Sequence, residues 1–182
     1  MPDPAEIELI KKCQEGREEA FRELVEKYQR RVYSIAWHLL SNYDTAREIS
    51  QEVFLRVFRS LRRWDSSRPL KPWIMGITVN RCRTWLAQRV RRPELADYLQ
   101  DVAVAPDADD AAELLHEIQA ALRELRPEFR EVFVLYHEQG QSYEEIAQAL
   151  GCPLGTVKTW LHRARIEVLE RLQERGMVHS EP

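Results

Sequence analysis

Residues 142–165 constrain the fold more than any other part of this chain, because they dictate two short helices joined by a tight turn. Ser142 and Glu145 make the S-x-x-E pattern of a capping box, in which each side chain satisfies a backbone N–H of the first turn. Ile146, Ala147 and Leu150 then fall on one face at helical spacing. Gly151 suits the left-handed residue that ends a helix, and Pro153 suits the first turn of the next. Val157, Trp160 and Leu161 give the second helix its apolar face, and Ala147 is small where the two helices would cross. This is the layout of a helix-turn-helix, whose second helix enters the DNA major groove. An αα-hairpin that only packs on its neighbours shares the cap, the glycine stop and the apolar faces. The outer face of the second helix separates the two readings. There Thr156, Lys158, Thr159, His162, Arg163 and Arg165 supply the cations and hydrogen-bonding groups that contact with DNA requires.

A net charge of −3 over 182 residues argues against DNA only until it is divided along the chain. Residues 61–92 carry nine Lys/Arg against Asp65 alone, a net +8, whereas residues 93–140 carry three basic and twelve acidic residues, a net −9. A compact block of +8 is an electrostatic footprint for phosphate. The alternative is an Arg-rich solvated helix face. Against that alternative, Trp64, Trp73 and Trp85 are interleaved with the arginines. The charged fraction of 31% and hydrophobic fraction of 44% are ordinary for a globular protein. No run approaches the ~18 apolar residues of a membrane span. The N-terminus lacks the basic and apolar regions of a signal peptide. Cys13, Cys82 and Cys152 are far apart with no C-x-x-C pair, which reads as reduced thiols in a cytoplasmic protein. The five histidines do not cluster at metal-ligand spacing, so no metal or cofactor is expected.

The pattern predicts an all-α chain. Phe21, Leu24, Val25, Tyr28, Val32, Ala36 and Leu39 place one amphipathic helix over 17–40. A turn at 42–44 follows, with Asp44 as N-cap. Ile49, Val53, Phe54, Val57, Phe58 and Leu61 mark a second helix over about 45–62, residues 64–71 a loop, and Trp73, Ile74, Ile77 and Leu86 a third helix over about 72–91. Residues 93–112 are acidic, bounded by Pro93 and Pro106, and lack a periodic face, so they read as a linker. Leu115, Ile118, Leu122 and Leu125 resume a helix at about 112–125. Pro127 opens another, with Phe129, Val132, Phe133 and Tyr136 inward and a stop near Gly140. The expected organisation is a helical domain over 1–92, a linker over 93–112 and a helix-turn-helix domain over 113–182.

Taken together, Gln51-Glu52-Val53-Phe54, the segment from Trp73 through Asn80, Ser142 through Ala147, and Gly155-Thr156-Val157-Lys158-Thr159 resemble the extracytoplasmic-function (ECF) sigma factors of the sigma-70 family. The resemblance runs from about Ala20 to Leu172. It implies that the first domain binds core RNA polymerase and the promoter −10 element, and that the second reads the −35 element. The polymerase-binding segment would then hold Asp44, Glu48, Gln51, Glu52 and Phe54, with Arg47 standing where the family usually has an acidic residue. The −10 reader would hold Arg62, Arg63, Trp64, Arg68, Lys71, Asn80, Arg81 and Arg83. Physical sense supports that role, since opened strands are held on aromatic surfaces beside a basic groove. The −35 reader would use Thr156, Lys158, Thr159, His162, Arg163 and Arg165. Trp160 stands where the family commonly has Arg; either the indole packs inward or a phosphate contact is absent. The acidic linker would thread the polymerase near the RNA path, and an anti-sigma factor is a further implied partner.

A second reading is a helix-turn-helix regulator with an N-terminal sensing or dimerisation domain. Such a regulator has no need of the +8 block on the domain remote from its helix-turn-helix. An enzyme is excluded, because no triad, paired-carboxylate, P-loop or metal constellation is present.

Overall fold

The structure, a computed structural model, describes residues 4–65, 68–91 and 110–177. Its helices are α1 (Pro4–Gln14), α2 (Glu18–Leu40), α3 (Tyr43–Ser60) with a short 3-10 turn (Leu61–Arg63), α4 (Leu70–Arg91), α5 (Asp110–Glu124), α6 (Pro127–Phe133) continued by a π-helical turn (Val134–Glu138), α7 (Tyr143–Leu150) and α8 (Leu154–Glu174). Among the described residues the fold is all-α, in two helical domains. The expected linker falls mostly on residues 92–109, outside the described residues, and Asp110 to Ala112 belong to α5 instead.

α1 has no counterpart among the helices expected from the sequence. Its buried face is Glu6, Leu9, Ile10 and Cys13, so a carboxylate interrupts the apolar stripe. Tyr28 Oη and Lys27 Nζ on α2 both donate to Glu6, which satisfies that buried charge. α2 ends at Ser41 in the left-handed conformation (φ 53°), its N–H donating to Trp37 O. The N-cap of α3 is Asn42, whose Oδ1 accepts from Thr45 N–H at 2.8 Å, and not Asp44. Asp44 lies in the first turn, where its charge still favours the positive end of the helix dipole. α4 starts two residues earlier than expected. Pro72 sits in its first turn, where the missing N–H leaves no helical bond unmade.

The helix-turn-helix forms as the local signals require. Ser142 Oγ accepts from Glu145 N–H at 3.1 Å, and Glu145 Oε2 accepts from Ser142 N–H at 2.8 Å. Gly151 closes α7 at φ 66°. Pro153 is the N-cap of α8, one residue ahead of the helix. α5 and α6 brace α8 through Leu122, Leu125, Phe129, Ala164, Val168 and Leu172, a small separate core. Trp160 is half-buried and packs against both this core and the larger one, so the indole turns inward.

The larger core crosses from one half of the molecule to the other. It joins Leu24, Ile35, Ile49, Ile74 and Met75 of the first four helices to Leu135, Ile146, Val157 and Leu161 of the second half. α4 packs along α7, and α2 touches α5, α6 and the π turn. Each fully buried Leu or Ile contributes about 1.5–3 kcal/mol relative to exposure, which makes this seam a substantial interface.

Candidate nucleic-acid interface

The outer face of α8 is built by subtraction. Val157, Leu161, Ala164 and Val168 point into the cores, leaving Lys158, Thr159, His162 and Arg163 exposed on the opposite side. Thr156 is half-buried, and Thr159 Oγ1 donates back to Gly155 O at 2.9 Å. Arg165 is exposed but engaged: its guanidinium lies 4.9 Å from the Tyr136 ring centre, and its Nε donates to His137 Nε2 at 3.2 Å. That bond needs a neutral imidazole acceptor. Burial, reinforced by the nearby Arg165 charge, holds the His137 pKa below its ordinary value. Arg165 therefore leaves the cluster expected of it and ties α8 to the π turn.

The basic block divides in the same way. Arg62 and Arg63 are exposed on the 3-10 turn, and Arg68 is exposed with Asp65 at 3.6 Å. Gln14 Nε2 of α1 donates to Leu61 O at 2.9 Å and so holds this turn from below. Trp64 is buried at 9% exposure, its Nε1–H without a partner, so its ring is core here and not an open wall of a base pocket. Asn80 is exposed near the middle of α4, beside a crevice of about 190 Å³ between α4 and α7 lined by Arg68, Trp73, Ile77, Asn80, Gln148 and Ala149. Trp73 is half-buried, serving core and crevice together.

Three other expected phosphate contacts are committed to protein partners. Lys71 Nζ donates to Gln139 O at 3.0 Å, and burial lowers its pKa. Arg81 is buried against Glu52, whose carboxyl is held below the usual range chiefly by the hydrogen bond from Arg81. Arg83 makes a two-pronged bond to Glu131 on α6, with Nε to Oε1 at 2.6 Å. Glu131 is only 3% exposed; burial raises its pKa, while the Arg83 hydrogen bond opposes that rise. The charges were legible in the sequence, but their carboxylate partners lie 29 and 48 residues away.

On α3, Asp44, Glu48 and Gln51 are exposed, Glu52 is half-exposed and Phe54 is buried. The same face carries Tyr43, Leu55 and Phe58 at 63%, 56% and 52% exposure. Phe58 was expected in the core; it stacks edge-on against Phe21 at the surface instead. Tyr43 and Leu55 were missed altogether, although an apolar residue one position beyond each core residue was a signal to be read. A cleft of about 460 Å³ between α2 and α3 adjoins this face, flanked by Arg30, Tyr33, Arg47 and Gln51.

Comparison with known proteins places this geometry in a family. Residues 24–92 match the model of sigma-70 region 2, and residues 115–168 match that of sigma-70 region 4. The chain is 33% identical over 178 residues to the ECF RNA polymerase sigma factor SigW of Bacillus subtilis, covering 91% of this chain and 95% of that one. It is 37% identical over 158 residues to the ECF RNA polymerase sigma factor SigE of Mycolicibacterium smegmatis, where it spans 82% of this chain and 60% of the other. Among solved structures, the sigma factor RpoE of Bartonella quintana, in complex with the anti-sigma factor NepR, superposes with a TM-score of 0.73 at 26% identity, over 84% of this chain and 96% of that one. The chain belongs to the ECF sigma factors of the sigma-70 family. In the described residues, no helix is long and apolar enough to cross a membrane.

Proposed function

We propose that the chain directs promoter-specific initiation as a sigma factor that binds core RNA polymerase through α3, reads a −10 element with the 61–71 segment and α4, and reads a −35 element with α8. The observation that carries this reading is the presence of two separate sets of exposed cations, one on each half. Arg62, Arg63 and Arg68 flank Asn80 on the first half, and Lys158, His162 and Arg163 project from α8 on the second. A regulator with a sensing domain would need only the second set. Asp44, Glu48 and Gln51, with Leu55 and Phe58 between them, form a mixed apolar and acidic face of the kind a protein partner takes. Phe54, buried, supports that face from beneath, and Arg81 and Arg83 act as braces for α4.

The domain division is proposed as region 2 over 1–92, a tether over 93–112 and region 4 over 113–182. The role is one of binding, not catalysis, and is exercised in the cytoplasm where core polymerase and promoter DNA are found. The RpoE chain that superposes on this one is in complex with an anti-sigma factor, which supports an anti-sigma partner here as well. Transcription in vitro with core RNA polymerase and promoter fragments from the source genome tests the proposal. Initiation from a subset of fragments is expected; a protein that neither binds core polymerase nor directs initiation is not a sigma factor.

A further inference from the structure

We infer that in the free protein the −10-reading face of α4 is the docking face for α7 of the protein's own helix-turn-helix half, so that the closed arrangement and promoter reading exclude one another. The inference rests on the assignment of α4 to the −10 element. Its first support is the closeness of approach. A Cβ on Gly76 of α4 would lie 2.5 Å from the Ala149 carbonyl oxygen and 3.2 Å from its carbon, both backbone atoms of α7 that cannot swing aside. Only glycine permits this contact, and it lies one helical turn from Asn80.

The second support is what the contact covers. Gln148 and Ala149 form one wall of the crevice whose other wall carries Arg68, Trp73 and Asn80. A strand laid along α4 needs that wall removed. Two cations of the same face are also spent across the seam, Lys71 on the Gln139 carbonyl and Arg83 on buried Glu131. Neither is available to phosphate until the halves part.

The third support is distance. Elements at −10 and −35 are about 25 nucleotides apart, roughly 85 Å of B-form duplex at about 3.4 Å per step. In this structure α8 packs on α7 and α7 packs on α4. At about 8–10 Å between packed helix axes, the two readers are separated by roughly 20 Å at that point. The closed molecule is too short to hold both elements, so it must open before it can read a promoter.

The test uses the full-length protein and two variants that attack opposite walls. Gly76→Ala adds no charge and improves helix propensity, while forcing the Ala149 backbone away. Ala149→Glu crowds the same seam and adds a negative charge, which by itself weakens nucleic-acid binding. Small-angle scattering reads compactness, and a fluorescent single-stranded 20-mer of randomised sequence reads the affinity of the uncovered face. Wild-type protein should scatter within a few Å of the about 16 Å radius of gyration of a compact chain of 182 residues. Both variants should be more extended and bind the 20-mer about tenfold more tightly. An extended wild-type protein overturns the inference without reference to any variant. So do variants that extend yet bind no better. Core polymerase binding is measured in parallel. A protein that opens and gains strand affinity but never binds core polymerase upholds the docking and overturns the sigma assignment instead.

Discussion

Arg163 and Arg165, two positions apart on α8, have different duties. Arg163 is exposed with a free approach to DNA, whereas Arg165 is stacked on Tyr136 and bonded to His137. Replacing Arg163 with Ala should weaken binding of a −35 duplex by about tenfold, within the range of one good base or phosphate contact, and leave core polymerase affinity unchanged. Equal loss of both in filter-binding and pull-down assays would break the proposed division of labour. Glu52 makes a pH prediction. Its folded-state pKa lies below the unfolded value because Arg81 donates to it, so its stabilisation is present above the carboxylate range and is lost as pH falls through the folded pKa. Wild-type protein should exceed Glu52→Gln in stability by under about 1 kcal/mol at pH 7, given the half-exposed carboxylate. In urea titrations the gap should close towards pH 3. Glu131 is a different case, being almost fully buried. Removing Arg83 strands that carboxylate, and Arg83→Ala should cost about 3–5 kcal/mol, read as a fall in thermal midpoint.

At the level of elements, short-range signals were legible and long-range ones were not. The Ser142–Glu145 box and the Gly151 stop are encoded within four residues of the groups they satisfy, and both form. α1 was hidden because Glu6 sits on its buried face and finds its partners on α2, 21 and 22 residues on. Phe58 obeys the helical period and is still half-exposed, since periodicity marks a face but not whether a neighbour covers it. α1 also supports the 3-10 turn through Gln14. Gln14→Ala should cost about 0.5–1.5 kcal/mol, the net worth of one such hydrogen bond. The loosened turn should open −10 DNA more slowly in permanganate footprints with core polymerase. An unchanged opening rate would leave α1 with a packing role alone.

For the whole molecule, the sequence displayed two domains, and the family matches over 24–92 and 115–168 bear out that plan. It did not display the seam between them. Gly76 in a sequence reads as a helix weakness, and nothing local announces that Ala149 will lie against it. Likewise a basic block reads as phosphate contact until each guanidinium is matched with its partner. Here Arg81 and Arg83 are structural and Arg62, Arg63 and Arg68 remain at the surface.

The Arg81–Glu52 pair has a consequence for communication across the first domain. Glu52 belongs to the face proposed for polymerase, while Arg81 follows Asn80 directly on α4, and one of its guanidinium nitrogens is already buried without a partner. Any protein that takes the Glu52 carboxylate for itself deprives that guanidinium of its counter-charge. The cation must then seek another anion, and the nearest class on offer along α4 is nucleic-acid phosphate. Thermodynamic reciprocity follows: whatever occupancy of one site does to affinity at the other, the other does in equal measure in return. A single ion pair thus makes polymerase capture and strand capture linked equilibria.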